Sequence, residues 1–227
     1  QQLLGDLYFS TVDRNGQLTE TLVQRNVLRV PNLPVNDTDL IAFNNQYAIC
    51  FRKAVGNDFY VALRQANGSW NKEIVLENMA AGADCALGIV DGLLVTAYSR
   101  NNQLWFATRR GPNDWVHHRI DESDNTVASG LDMVIFDNEP YIAHRDDTAG
   151  TLRMTYRSNG NWVTMAGPTA DDSDNDGHPN PENGSGFRPS IYVAADGIRI
   201  IHGTRPQNPD ETRDGYLLIS QTTMPPA

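Results

Sequence analysis

The sequence predicts an all-β protein, a β-propeller of four-stranded antiparallel blades, and three observations support this prediction. Short turn signals recur between pairs of apolar runs and begin at Asn44, Asp91, Asp137 and Asp196. These turns are 47, 46 and 59 residues apart, and removing a 13-residue insertion restores 46 for the last spacing. Two further apolar runs follow in each unit. A four-strand unit that repeats at about 46 residues is typical of a propeller blade. The chain therefore holds about four to five blades, as a whole propeller or as part of a larger one.

Each turn signal predicts a hairpin that joins the first and second strands of a blade. The four turn dipeptides are Asn44-Asn45, Asp91-Gly92, Asp137-Asn138 and Asp196-Gly197. Asn, Asp and Gly tolerate the positive φ that a two-residue hairpin turn requires. The flanking runs are predicted to be strands.

A third strand-like run follows each hairpin, and a polar turn then leads to a fourth run that opens on a tryptophan. These tryptophans are Trp70, Trp115 and Trp162. We interpret them as packing residues that close the outer edge of each blade against its third strand. The alternative is that they are stacking platforms for sugar rings.

The domain organisation is one propeller domain over residues 1–227. It comprises a half blade at 6–24, blades at 39–77, 84–121 and 131–168, an incomplete blade at 189–221 and an acidic insertion at 169–186. Both ends of the chain offer a third strand. Either the ring closes imperfectly, or more sequence or a partner chain completes the propeller.

Composition excludes several classes of function. The 227 residues carry a formal net charge of −10 and a pI near 4.8. Proteins that bind nucleic acid or anionic membranes need a basic surface, so both classes are disfavoured. No apolar run approaches the 18 residues of a membrane-spanning helix, so membrane insertion is not expected.

One arginine stands at the end of the second strand of each unit, eight or nine residues beyond the start of the turn. The four arginines are Arg52, Arg100, Arg145 and Arg205. Guanidinium groups gathered on one face of a propeller would bind an anion or a sugar. The alternative is that each arginine pairs with a carboxylate in its own loop. His144 and His202 lie near these positions and could join such a site, although structural histidines are the simpler interpretation.

The acidic insertion contains the most specific motif. Residues Asp172, Asp174, Asp176 and Asn180 follow the D-x-D-x-D-G-x-x-[DN] spacing of a calcium loop, with a backbone carbonyl expected from His178. Alternate carboxylates converge on one hard cation, and the glycine permits the sharp turn. The sequence therefore predicts a structural calcium ion, with a solvated acidic loop as the alternative.

The two cysteines, Cys50 and Cys85, fall near the end of a second strand and the start of the next first strand. A disulfide between neighbouring blades is geometrically possible, and two buried free thiols are the alternative. No catalytic residue is assigned, because the sequence has no motif typical of a nucleophile, a catalytic metal or a phosphate-binding loop.

The sequence resembles the secreted bacterial β-propellers of the lectin and sialidase-like kind. Three segments carry this resemblance: residues 142–146 (Ile-Ala-His-Arg-Asp), residues 150–153 (Gly-Thr-Leu-Arg) and the turn that ends at Trp162. The Asn-Gly-x-Trp turns are similar to a shortened sialidase Asp-box but lack its Ser-x-Asp-x-Gly spacing. The resemblance implies a secreted or cell-surface module that binds a glycan or a cell-surface protein. A glycoside hydrolase or lyase on the same fold is the alternative.

Overall fold

The structure is a computed structural model that describes residues 3–29, 38–53, 56–78, 84–121, 123–166, 187–195, 197–203 and 217–222. Every regular element among these residues is a strand. The strands are β1 (Leu3–Val12), β2 (Leu18–Arg29), β3 (Asp39–Phe43), β4 (Gln46–Arg52), β5 (Phe59–Arg64), β6 (Trp70–Leu76), β7 (Cys85–Val90), β8 (Leu93–Arg100), β9 (Gln103–Gly111), β10 (Asp114–Arg119), β11 (Val127–Phe136), β12 (Glu139–Asp146), β13 (Thr151–Ser158), β14 (Asn161–Ala166), β15 (Phe187–Ala194), β16 (Gly197–Gly203) and β17 (Leu217–Thr222). No helix long and apolar enough to cross a bilayer occurs in this described part.

The strands form antiparallel sheets in which neighbours in sequence are neighbours in space. Blade 1 consists of β3–β6, blade 2 of β7–β10 and blade 3 of β11–β14, each with its four strands in sequence order. A two-stranded N-terminal sheet (β1, β2) precedes them, and a three-stranded C-terminal sheet (β15–β17) follows. The first strands contact one another in succession, β3 with β7, β7 with β11 and β11 with β15. Four-stranded sheets placed side by side at their first strands form a β-propeller, so the predicted fold is confirmed.

The hairpins between first and second strands have the predicted two-residue turns. Phe43 pairs with Gln46, and Val90 pairs with Leu93, so that only two residues connect the strands. Both turn residues have positive φ, 50° and 60° at Asn44-Asn45 and 51° and 74° at Asp91-Gly92. The local sequence therefore fixes the register of each hairpin.

The tryptophans pack between blades. The Trp70 ring lies 5.4 Å from the Phe9 ring of the N-terminal sheet, and the Trp162 ring lies 5.0 Å from the Phe106 ring of blade 2. Trp115 is only 8% exposed and belongs to the core shared by blades 1 and 2. All three tryptophans are therefore packing residues, but the ring contacts of Trp70 and Trp162 reach across to the preceding sheet, which sequence periodicity does not reveal.

Three aspartates in or directly before the first strands connect each blade to the next. The Oδ2 atoms of Asp39, Asp84 and Asp132 accept hydrogen bonds from backbone N–H groups 48, 46 and 59 residues further along, at 2.7, 2.8 and 3.0 Å. These separations follow the spacing of the repeat. The carboxylates thus satisfy buried backbone donors at the blade boundaries.

Blades 2 and 3 also pack closely through apolar groups. A Cβ placed on Gly88 would lie 2.7 Å from Cδ1 of Ile135 and 3.1 Å from Cε of Met133. Glycine at this position of β7 lets the two first strands approach each other, and a larger side chain would force them apart.

The two cysteines form a disulfide. Cys50 in β4 and Cys85 in β7 are bonded, with their Cα atoms 6.4 Å apart. Since β4 belongs to blade 1 and β7 to blade 2, the bond joins neighbouring blades. Of the two alternatives that the sequence leaves open, the structure has the disulfide.

Candidate functional site

A groove of about 620 Å³ lies between blades 2 and 3. One wall is the connection that follows β10, and the other is formed by β13 and the outer strand β14. The groove is lined by Arg119, Ile120, Asp121, Ser123, Arg153, Gly160, Asn161, Trp162, Thr164 and Ala166. Trp162, Thr164 and Ala166 alternate along β14, so they share the face of that strand that is turned toward blade 2.

A buried ion-pair network lies at the end of the groove where β12 pairs with β13. The guanidinium of Arg153 pairs with Oδ2 of Asp121 at 3.1 Å and with Oδ2 of Asp146 at 2.5 Å. It also donates a hydrogen bond to Oγ of Ser123 at 3.1 Å. Asp121 is 2% exposed and Asp146 is 0% exposed, so both carboxylates of this network are shielded from solvent. Charge-assisted hydrogen bonds of this kind hold Arg153 in one position.

The loop beside this network is held by Arg119. Its Nε donates to the backbone carbonyl of Asp121 at 2.9 Å, and its Nη2 donates to the carbonyl of Ser123 at 2.6 Å. Within the loop, the backbone N–H of Ser123 donates to Oδ1 of Asp121 at 2.9 Å. These bonds fix the guanidinium of Arg119, which lines the groove.

A buried histidine lies behind the network. His144 is 0% exposed, and its Nε2 lies 2.9 Å from Oγ1 of Thr155, which lies 2.9 Å from Oγ1 of Thr164 in the groove. The same Nε2 is 3.9 Å from Oδ2 of Asp121. Burial lowers the pKa of His144 to about 4, against the opposing effect of the Asp121 charge. The imidazole is therefore neutral at pH 7, as expected of a structural histidine.

The carboxyl of Asp121 is held in its charged form. Burial alone would raise its pKa, but hydrogen bonds from Ser123 and the charge of Arg153 outweigh burial and place the pKa below its ordinary value. Asp121 is thus an acceptor and a counter-ion. It is poorly suited to donate a proton near neutral pH.

Blade 3 differs from the other blades at the positions that build this network. The equivalent cross-strand pair is Phe51 with Tyr60 in blade 1 and Tyr98 with Trp105 in blade 2, whereas it is His144 with Arg153 in blade 3. The two rings of the blade 1 pair stack 5.7 Å apart. Blade 3 therefore has a polar pair where the repeat has an aromatic pair. Sequence analysis did not assign Arg119, Asp121, Ser123 or Arg153 to a site, and this departure from the repeat was the signal that could have found Arg153.

The structure places three of the four predicted ligand-binding arginines, each near the end of its second strand. Nη2 of Arg52 donates to Oδ1 of Asn57 at 3.0 Å, and Nε of Arg145 pairs with Oδ1 of Asp147 at 2.9 Å. The guanidinium of Arg100 lies 5.0 Å from the centre of the Trp105 ring. Arg145 thus has a carboxylate partner in its own loop, as the alternative expectation held.

These arginines do not share one repeated position. Arg52 lies opposite Phe59 and Arg145 lies opposite Leu152, whereas the equivalent residue of blade 2 is Ser99, opposite Leu104. Arg100 is one residue further from the turn, and because side chains alternate along a strand, it projects from the other face of its sheet. The ligand-binding role of these residues stays a prediction.

Two predicted sites lie outside the described residues. These are Arg205 and the calcium loop of Asp172, Asp174, Asp176, His178 and Asn180. In the part of the chain that the structure describes, no cluster of three or more His, Cys, Asp or Glu side chains is arranged to hold a metal ion. Calcium binding by the acidic insertion therefore stays a prediction.

Comparison with known proteins finds solved structures of similar fold. A bifunctional GH43-CE protein of Bacteroides eggerthii is 14% identical over 97% of this chain, with a TM-score of 0.50. This chain spans about a third of that protein, 33% of its length. An alpha-L-arabinanase of Cellvibrio cellulosa is 10% identical over 96% of this chain and 90% of its own, with a TM-score of 0.49. No protein-family model and no curated protein matches the sequence. The likeness to the GH43-CE protein agrees with the propeller fold.

Acid is expected to destabilise the protein through His144. The free imidazole has a pKa near 6.5, and the lowered pKa of about 4 in the folded protein means that only the unfolded chain takes up this proton between those values. Stability is therefore present above pH 6.5 and is lost as the pH falls toward 4, by about 2–3 kcal/mol at pH 4.5. Urea unfolding at pH 7 and 4.5 measures this loss. A His144→Gln variant, which retains a hydrogen-bonding side chain, should lose less stability over the same interval. Equal losses in both proteins would contradict the assignment.

Proposed function

We propose that the protein is a secreted or cell-surface module that binds carbohydrate in the groove between blades 2 and 3. The observation that carries the proposal is the presence of the half-buried Trp162 ring in one groove with fixed guanidinium, hydroxyl and amide groups. The lectin-like resemblance of the sequence supports the same function. The GH43-CE protein has a similar fold, and its name supports a carbohydrate-related role without naming a ligand.

The chemistry of the groove suits a sugar. Aromatic rings pack against the C–H faces of pyranose rings, while planar polar side chains hydrogen-bond to the hydroxyls. Trp162 offers the ring, Asn161 and Thr164 offer an amide and a hydroxyl, and Arg153 is held in place by its ion pairs. Because Arg153 and Thr164 are held by their own partners before the ligand arrives, little ordering entropy of these two groups opposes binding.

In this groove, binding is favoured over glycoside hydrolysis by the state of the Asp121 carboxylate. Hydrolysis requires a pair of carboxyl groups, of which the general acid has a raised pKa. In the groove, the hydrogen bonds and charges around Asp121 outweigh its burial and lower its pKa. Near the first strands, Asp39 and Asp132 each accept backbone hydrogen bonds on both oxygens. Burial and the nearby charge of Asp39 nevertheless raise the pKa of Asp132, which is a property of a general acid. These groups have structural partners, and a hydrolase on this fold remains the alternative.

A glycan array followed by calorimetric titration tests the proposal. We expect hits on the array and an affinity that falls about tenfold or more in a Trp162→Ala variant, because a stacked aromatic ring contributes about 1 kcal/mol beyond its buried area. The matched control is Val163→Ala, on the opposite face of β14 and 36% exposed, which should bind as the wild type does. Thermal melts check that both variants fold. An array without hits, or equal affinity in Trp162→Ala, would refute binding in this groove. Release of reducing sugar from a bound glycan would favour the hydrolase.

A further inference from the structure

We propose that the carbohydrate bound in this groove carries a carboxylate, as in an oligosaccharide of hexuronic acids, and that Arg119 binds that carboxylate. This inference rests on the proposed function and specifies the ligand class of the same groove. It follows from the distribution of charge along the groove.

The two arginines of the groove differ in what balances their charge. Arg153 has two carboxylate partners, Asp121 at 3.1 Å and Asp146 at 2.5 Å. Arg119 donates to two backbone carbonyls, and it forms no ion pair with any residue in the described ranges, which omit Glu122 of the same loop. Carbonyl dipoles orient a guanidinium but do not neutralise it. The charge of Arg119 is therefore available to a ligand.

The carboxylates of this network do not present their charge to the groove. Asp121 is 2% exposed and Asp146 is 0% exposed, whereas the side chain of Arg153 is 18% exposed and Arg119 is half-buried. A ligand therefore meets guanidinium groups before it meets a carboxylate. This polarity is unusual on a chain whose net charge is −10. Arg119 and Arg153 balance Asp121 and Asp146 in number, but because both carboxylates are buried, the side of the groove that faces solvent is cationic and favours an anionic ligand.

The geometry of Arg119 suits a carboxylate better than a hydroxyl. Its Nε and Nη2 atoms are committed to the loop at 2.9 and 2.6 Å, which fixes the plane of the guanidinium. Its Nη1 atom donates no hydrogen bond to the described residues. A planar carboxylate can accept from the N–H groups on this side, and charge-assisted hydrogen bonds are about twice as strong as neutral ones. Trp162 in the same groove would hold the sugar ring that bears the carboxylate.

Matched acidic and esterified sugars test this inference. The probes are tetrasaccharides of galacturonate, guluronate and glucuronate, each compared by calorimetry with its methyl ester, which keeps the sugar and removes the charge. We expect at least one acid to bind about tenfold or more tightly than its ester, and this preference to shrink between 50 and 200 mM salt. Arg119→Gln should abolish the preference, whereas Arg119→Lys should keep part of it. Arg14→Gln, at an exposed turn of the N-terminal sheet, is the matched control and should keep all of it.

The outcomes separate this inference from the proposed function. Equal binding of acid and ester in all three series, with loss of both in Trp162→Ala, would overturn the role of Arg119 and leave carbohydrate binding intact. An acid preference that survives in a folded Arg119→Gln variant would also overturn it. If neither these probes nor any neutral glycan of the array binds, both the inference and the proposed function are wrong.

Discussion

Replacing Arg109 by glutamine is expected to destabilise the protein by about 3–5 kcal/mol, because it leaves a buried carboxylate without its counter-ion. Nε and Nη2 of Arg109 donate to the two oxygens of Glu73 at 2.7 and 2.8 Å. Glu73 lies on β6 of blade 1 and its side chain is 1% exposed, whereas Arg109 lies on β9 of blade 2 and is 19% exposed. The pair therefore joins two blades. When Arg109 is removed, the Glu73 carboxylate stays buried, so water does not replace its lost counter-ion.

The chain contains a matched control for this variant. Arg157 pairs with Glu139 at 2.5 Å, but both side chains are more exposed, at 26% and 32%. Arg157→Gln should therefore cost about 1 kcal/mol or less. Urea unfolding of both variants measures the difference. A double variant, Glu73→Met with Arg109→Met, should recover most of the stability, since an apolar pair can replace a buried ion pair. If Arg109→Gln and Arg157→Gln cost the same, the burial of Glu73 does not decide the effect.

The Glu73–Arg109 pair also illustrates what sequence reasoning could not reach. The repeat places Arg64, Arg109 and Arg157 near the ends of the third strands, and from periodicity alone their side chains are predicted to be solvated. In the structure, Arg109 pairs with Glu73, Arg157 pairs with Glu139, and the guanidinium of Arg64 lies 5.0 Å from the centre of the Phe9 ring. The expectation was wrong because the partner of Arg109 stands 36 residues away on another blade. Periodicity predicts where a strand begins and ends, but it does not predict which side chains of neighbouring sheets face each other.

The blade architecture, in contrast, was predictable because its determinants are local. The dipeptides at Asn44 and Asp91 have the positive φ that their residue types favour, and the register of each hairpin follows from the turn. Because the same hairpin recurs in each repeat, one local prediction applies to several blades. A fold built from local hairpins is for this reason easier to predict from sequence than a fold built from distant strand pairs.

The candidate site was predictable only in part. Sequence analysis predicted a binding site at the ends of the second strands, and His144 and Arg145 do lie beside the ion pair of Asp146 and Arg153. It did not find Arg119 or Asp121, because these residues reach the groove from the end of β10 and from the connection that follows it. A site formed between blades depends on the packing of one sheet on the next. The useful signal is a position at which one blade breaks the repeat, as Arg153 does.

Replacing Cys50 and Cys85 by alanine is expected to destabilise the protein by about 4 kcal/mol. The bond closes a loop over a sequence separation of 35 residues, and the loss of this constraint increases the entropy of the unfolded chain. Both residues are buried, at 0% and 7% exposure, so solvation of new polar groups adds little. For a chain of this length, such a loss corresponds to a fall of about 10 °C in the melting temperature.

The double alanine variant is compared with the wild type in the presence and absence of a reductant. Each single variant serves as a control, since either one opens the bond and should lose nearly as much stability as the double variant. The wild type should melt lower in reductant, whereas the double variant should not respond. If reductant leaves the wild type unchanged under unfolding conditions that expose the bond, or if the double variant melts as the wild type does, the disulfide contributes no stability. The Asp39–Leu87 hydrogen bond, the Glu73–Arg109 ion pair and the shared apolar core would then be sufficient to hold blades 1 and 2 together. We expect the bond to matter because it is a covalent link between β4 of blade 1 and β7 of blade 2.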